Sequence, residues 1–236
     1  MITIDLITGF LGSGKTTFLR KYVKYLLSQG ENICILENDY GAVNVDMMLL
    51  SDLMGDRCDM EMVAGGCDAD CHRRRFKSKL IEMGMIGYTH VLVEPSGVFD
   101  VDEFYDSLHE DPLNRWYRAG AQITIVDAGL DIPLSDTSQY VFASEAANAG
   151  KILFSKTQLN PPDAPTKILS YLNESLTKIN CKRQITSDEI MAKDWSTLTD
   201  DDFKALENSG YKDYSFEKQQ VIDEHEYESL YFMEKN

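Results

Sequence analysis

Eight residues near the start of the chain, Gly9-Phe10-Leu11-Gly12-Ser13-Gly14-Lys15-Thr16, fill the pattern GxxxxGK[ST]. That pattern suits the chemistry of a triphosphate. Gly12 and Gly14 permit a backbone that turns successive N–H groups toward a phosphate, and a helix starting directly afterwards adds partial positive charge. Lys15 would bridge the β- and γ-phosphates and the Thr16 hydroxyl would ligate Mg²⁺, with Gly9, Ser13 and Thr17 completing the contacts. A glycine turn between a strand and a helix is common, but it does not require lysine and threonine in these two places.

Two more constellations carry chemistry. In Glu94-Pro95-Ser96-Gly97 an acid ends an apolar run, and the glycine three positions later resembles the DxxG arrangement of nucleotide switches. Glu94 is read as the Mg²⁺-side acid and Gly97 as the γ-phosphate contact. Asp39, in "DYGAVNVD", is placed near Mg²⁺ or the attacking water, with helix capping as the competing reading. The stretch "AGGCDADCH" then sets Cys67, Asp68, Asp70, Cys71 and His72 in six consecutive positions. If a helix begins at Asp70 to His72, Cys67 and Cys71 straddle its first turn and could converge on one ion. Asp68, Asp70, His72 or the upstream Cys58 would then complete a four-ligand Zn²⁺ set. The plainer alternative makes Asp70 a helix cap, Cys67 a turn residue and Cys71 a core side chain. CxxxC is not the usual redox spacing, so a disulfide pair is the weakest of the three.

These residues need elements to hold them. "ITIDLIT" reads as a strand, and Phe18, Leu19, Tyr22, Val23, Leu26 and Leu27 recur at helical spacing behind the glycine loop. "NICILEN", "CDMEMVAGG", "HVLVEPSG", "QITIVDAG" and "KILFS" read as further strands, with helices over "HRRRFKSKLIEMGMIG" and "TSQYVFASEAANAG". Strands alternating with helices imply right-handed βαβ units and a mostly parallel sheet with helices on both faces. Ligands of such α/β folds bind beyond the C-terminal strand ends. Helices are also expected over "TKILSYLNESLTKI" and "LTDDDFKALENSGY". The expected organisation is a P-loop nucleotide-binding domain over residues 1–180 and a short acidic, partly flexible C-terminal extension over 181–236.

With 236 residues and 43% hydrophobic content the chain can bury a substantial core. A formal net charge of −16 disfavours nucleic acid and anionic membrane as partners and favours a metal cation. No apolar run reaches membrane-spanning length and no basic leader opens the chain, so a cytoplasmic location is expected. The five cysteines are then read as buried thiols or ligands rather than a disulfide framework.

Taken in order, "TGFLGSGKTT", "ENDYGAVNVD", "GGCDADC", "HVLVEPSG", "ITIVDA" and "SEAANAGKILFSKTQL" resemble the motifs of the CobW/UreG/HypB-like P-loop GTPases, above all the CobW-type metallochaperones. The resemblance implies a Mg²⁺-dependent GTPase whose nucleotide state controls capture of Zn²⁺ or another transition metal and its delivery to a client metalloprotein. A homodimer is left open. Two motifs depart from the family. Ser155-Lys156-Thr157-Gln158 stands where guanine-specific relatives carry (Asn/Thr)-Lys-x-Asp. Glutamine lacks the paired charge-assisted acceptors, so GTP or ATP could serve. In the cysteine segment, Ala69 and Asp70 fall where the family has adjacent cysteines. The alternatives are a small-molecule kinase with "HRRRF" as its lid, or a nucleotide-dependent activator of a partner enzyme with a structural cysteine loop.

Overall fold

The computed structural model describes residues 1–39, 49–64, 69–95 and 101–218, with residues 38, 39, 64, 69 and 70 described by backbone alone. Apolar runs bounded by turn residues form β1 (Ile2–Thr8), β2 (Ile33–Asp39), β3 (Cys58–Ala64), β4 (His90–Pro95), β5 (Tyr117–Asp127), β6 (Lys151–Ser155) and β7 (Ile190–Met191). They make a seven-stranded parallel sheet in the order β3-β2-β4-β1-β5-β6-β7, an α/β architecture as expected. Contacts divide the chain into two units, one of Met1–Ile7 with Lys15–Gly120 and one of Thr8–Gly14 with Ala121–Asn236.

In the first unit, α1 (Lys15–Ser28) buries Phe18, Leu19, Tyr22, Val23, Tyr25 and Leu26. Tyr25 takes the inward place expected of Leu27, because its ring stacks on Tyr22 at 6.3 Å between centroids. Between β3 and β4, α2 (Ala69–Ile86) buries the stripe His72, Phe76, Leu80 and Met83 and exposes Arg73, Arg74 and Arg75. The basic run is thus a solvated face, with Arg73 bonded to Glu103 at 3.1 Å. Beneath these helices Asp5 is fully buried, and its Oδ2 accepts from Tyr22 Oη and contacts His90 Nε2, both at 2.8 Å. Two partners on one carboxylate oxygen offset the cost of desolvating it. Residues 101–116 form α3 (Val101–His109) and α4 (Leu113–Trp116), neither of which the motif reading anticipated.

The second unit adds α5 (Asp136–Ala147), α6 (Ala164–Lys178) and α7 (Asp200–Glu207). Its core reaches past residue 180: Cys181, Ile185, Phe203 and Leu206 are buried and β7 pairs with β6 in the register Ile152↔Ile190. Residues 181–211, expected to begin an appendage, therefore contribute a strand and core side chains to this unit. Residues 219–236 lie outside the described residues. Among the described residues no helix is long and apolar enough to cross a membrane.

Arg183, almost fully buried, ties this unit together. Its guanidinium donates to the carbonyls of Ala146 (2.9 Å) and Ala147 (2.8 Å) at the end of α5, and to Glu189 Oε1 (2.9 Å) just before β7. Burial pushes the Glu189 carboxyl up, but the Thr186 backbone and Arg183 outweigh it and hold the group below the usual carboxylate range. Its contribution is complete above the unfolded value of about 4.3 and is lost as pH falls through the depressed native value. Arg183→Met leaves two carbonyls and a carboxylate without their donor and should cost about 3 kcal/mol. Thermal melts at pH 7 should show it as a drop in Tm of about 10 °C, and the variant's remaining stability should fall less than the wild type's below about pH 4.

Candidate functional site

Residues 9–14 leave β1 and run straight into α1, whose first residue is Lys15. The first N–H groups of a helix carry partial positive charge, and α1 has no acidic residue in its first turn. Gly9 has φ +137°, and a Cβ there would lie 2.3 Å from the Ile125 carbonyl oxygen and 2.9 Å from Ser13 Oγ. Gly14 has φ +105°, and a Cβ there would meet Cη2 of Trp195 at 3.2 Å. Between them the Ser13 N–H donates to the Phe10 carbonyl at 3.0 Å, closing a tight turn whose serine is buried.

The loop is also held from β6. Lys156, left-handed at φ +53°, donates from Nζ to the Gly12 carbonyl at 3.1 Å and pairs with Asp127 Oδ2 at 2.5 Å. Asp127, expected merely to end a strand, accepts from the Gly129 N–H at 2.8 Å as well. Lys156 is thus a strut on the loop with its charge balanced. Ser155 is buried, its hydroxyl 3.5 Å from the Val126 carbonyl, whereas Gln158 is exposed on a single 3₁₀ turn (Thr157–Leu159). On its other flank Phe10 packs on Phe142 of α5 at 5.6 Å, beside an apolar cavity of about 370 Å³ that has Gly9 to Ser13 as one wall.

Two buried acids lie in the first unit. Glu94 near the end of β4 is 6% exposed, and Glu37 on β2 is 3% exposed and stands opposite it in the parallel register. Residues in register on adjacent strands project to the same face, so two buried carboxylates share one strand end. Together with the half-buried Thr16 they are hard oxygen donors of the kind Mg²⁺ takes. Glu37 was missed from sequence, although an acid closing the apolar run "CILE" was the available signal. Asp39 ends β2 opposite Ala64, while its side chain and Gly97 lie outside the described residues.

Two members of the expected metal set, Cys58 and His72, are buried side chains. Cys58 opens β3, opposite Ile33, and the pairing of Lys79 with Glu61 at 3.1 Å fixes how α2 runs back along the strand. Eight helical residues one way and three strand residues the other put Cys58 about 20 Å from Cys71 along that direction. Burial, then Asp59, pushes the Cys58 thiol up to about 11. His72 is 5% exposed and heads the packing stripe of α2. Consecutive helical residues point about 100° apart, so it does not face the same way as half-buried Cys71. Burial, then Arg75, pushes the His72 imidazole down toward the neutral form. Asp70 lies within the first turn of α2, where an acid suits the helix dipole, and Cys67 and Asp68 lie outside the described residues. Among the described residues no three His, Cys, Asp or Glu side chains gather as a metal cluster.

A glycine loop delivered by a parallel strand to the opening of a helix, with a lysine strut from the residue that follows β6, defines a P-loop nucleotide-binding domain. Residues 3–187 match the family model described as CobW/HypB/UreG, nucleotide-binding domain, and the chain belongs to that family. It is 28% identical over 197 residues to the zinc chaperone YjiA of Escherichia coli, covering 78% of this chain and 56% of that protein. It is 25% identical over 226 residues to the zinc-regulated GTPase metalloprotein activator 1 of Schizosaccharomyces pombe, covering 92% and 53%. The chain spans about half the length of these curated relatives. Among solved structures, the hydrogenase maturation factor HypB of Archaeoglobus fulgidus shares the fold with TM-score 0.50 at 16% identity, covering 86% of this chain and 85% of that one.

The thiols should separate by position. Cys34 is pushed up to about 12 by burial and then Glu61, and Cys58 and Cys181 are buried, whereas Cys71 is half-buried. With iodoacetamide at pH 7.5, peptide mass spectrometry should find Cys71 alkylated in the native chain and Cys34, Cys58 and Cys181 modified only after denaturation. Native labelling of Cys58 would contradict its placement in the core.

Proposed function

We propose that the chain is a Mg²⁺-dependent nucleoside triphosphatase that couples its nucleotide state to capture of a transition-metal ion, its cargo, and delivery to a client metalloprotein. The observation that carries this reading is the loop over residues 9–14, held by Lys156 and continued directly by α1. Backbone N–H groups of the loop and the Lys15 ammonium would hold the β- and γ-phosphates and stabilise charge on the transferring phosphoryl. Thr16 and Glu94 would hold Mg²⁺, which would supply positive charge to offset that of the phosphates. Asp39 and Gly97 keep their proposed places, by the attacking water and the γ-phosphate, and Thr17, Ser155, Lys156 and Gln158 line the nucleotide.

The zinc chaperone and zinc-regulated activator among the relatives support the metal output. For the cargo we propose Cys67 and Cys71 as thiolates, with Asp68 or Asp70. Glu37 replaces Cys58 as the added ligand, since β2 carries it to the strand end from which β3 enters the cysteine segment. A mixed set of thiolate and carboxylate suits Zn²⁺, and an open position suits transfer. The kinase alternative gains nothing from the arginine run, because Arg73 is engaged by Glu103 and Glu110.

Phosphate release from Mg·GTP and Mg·ATP, with Zn²⁺ titrated in the presence and absence of a non-hydrolysable triphosphate, tests both halves. Lys15→Ala should lower turnover at least about 100-fold. Cys67→Ser/Cys71→Ser should weaken Zn²⁺ binding about 10- to 100-fold and abolish its nucleotide dependence. Unchanged Zn²⁺ affinity in the double variant would overturn the metal site, and unchanged turnover in Lys15→Ala the phosphate cradle.

A further inference from the structure

Trp195 lies in none of the motifs above, yet it rests on the phosphate cradle. A Cβ at Gly14 would meet its ring at 3.2 Å (Cη2) and 3.3 Å (Cζ3), and the same point is 3.7 Å from Ser155 Cβ. The indole is fixed at its edge, where Nε1 donates to the Phe154 carbonyl at 2.9 Å. The one-turn helix that carries it (Trp195–Thr197) is fixed in turn: the Asp194 carboxylate accepts from the Ser196 N–H at 2.8 Å and the Thr197 hydroxyl donates to the Asp194 carbonyl at 2.7 Å. Lys193, two residues before, is anchored to Asp202 of α7 at 2.5 Å, and the Asp202 carboxylate also closes the capping box with Thr199. A large aromatic is therefore held in one place, half-buried, between the last glycine of the loop and the end of β6.

We infer that Trp195 is the base-binding residue of this domain, taking the face of the nucleobase by stacking, so that the site recognises a nucleoside triphosphate without reading its Watson–Crick edge. The inference rests on the proposed nucleotide binding. A nucleotide with its phosphates on the N–H groups of residues 9–14 must place its base within one nucleotide length of Gly14. Phe10, the loop's own aromatic, is drawn away onto Phe142. Trp195 touches the loop and remains partly exposed, and an indole held by its N–H offers a face at little further entropic cost. Stacking tolerates every base. Edge discrimination is correspondingly weak at the position expected to provide it, since Gln158 is neutral and exposed.

The test is calorimetric titration of the full chain with Mg·GTP, Mg·ATP and inorganic tripolyphosphate, for wild type, Trp195→Ala and Trp195→Phe. Circular dichroism melts verify folding. Loss of a stacked base should weaken GTP and ATP alike by about 10- to 100-fold in Trp195→Ala, leave Trp195→Phe within about threefold of wild type, and leave tripolyphosphate unchanged. A second readout needs no change at the site. The chain has two tryptophans, so Trp116→Phe isolates Trp195, whose emission should be quenched by Mg·GTP and not by tripolyphosphate. Equal nucleotide affinities of wild type and Trp195→Ala, or a loss that extends equally to tripolyphosphate, would overturn the stacking role while nucleotide binding stands. Failure of the wild type to bind either nucleotide would overturn the nucleotide reading itself, and this inference with it.

Discussion

At Gly9 the backbone passes so close to the Ile125 carbonyl oxygen that a Cβ would stand 2.3 Å from it. The chain can leave β1 and turn into the phosphate loop on that path only with hydrogen as the side chain. Everything else at the site inherits the constraint. Ser13 is buried under the turn, the Gly12 carbonyl comes within reach of Lys156, and Gly14 lies flat enough for an indole to rest on it. Lys156 does two electrostatic tasks with one ammonium, since Asp127 neutralises it while it holds the loop. The loop continues into α1, whose first turn carries no acidic residue.

Local pattern made much of this legible. GxxxxGK[ST] is written in contiguous residues whose types are dictated by the phosphates, and β1, α1, β2, β3, β4, β6 and the later helices follow from apolar runs and 3.6-residue spacing. What sequence left hidden was the pairing of distant segments. Glu37 faces Glu94 only because β2 and β4 are neighbours, although β3 intervenes in the chain. Asp127 became a partner of Lys156 only once β5 and β6 were in register. Cys58 and Cys71 are thirteen positions apart by number, but a strand and a returning helix carry them to opposite ends. For His72 the ligand chemistry was visible, while its place on the stripe with Phe76, Leu80 and Met83 required the helix to begin at Ala69.

The two departures from the family motifs take on a physical meaning in this arrangement. Gln158 is neutral and exposed, so the proposed nucleotide site would draw on the phosphates and a base's face rather than on a charged acceptor at this position. In the proposed metal site the cysteine segment likewise has carboxylates among its donors where the family motif has adjacent thiolates, a set with harder donors. Buried thiols at Cys34 and Cys58, both held in the protonated form, keep to the core.

The central claim, that the backbone of residues 9–17 grips a triphosphate, is tested most directly by amide hydrogen exchange on the full chain with and without a Mg²⁺-bound non-hydrolysable GTP analogue. Exchange of the Gly12 to Thr17 amides should slow markedly on adding the nucleotide, while the amides of α6 remain unchanged. Identical exchange across residues 9–17 at saturating nucleotide would contradict the account.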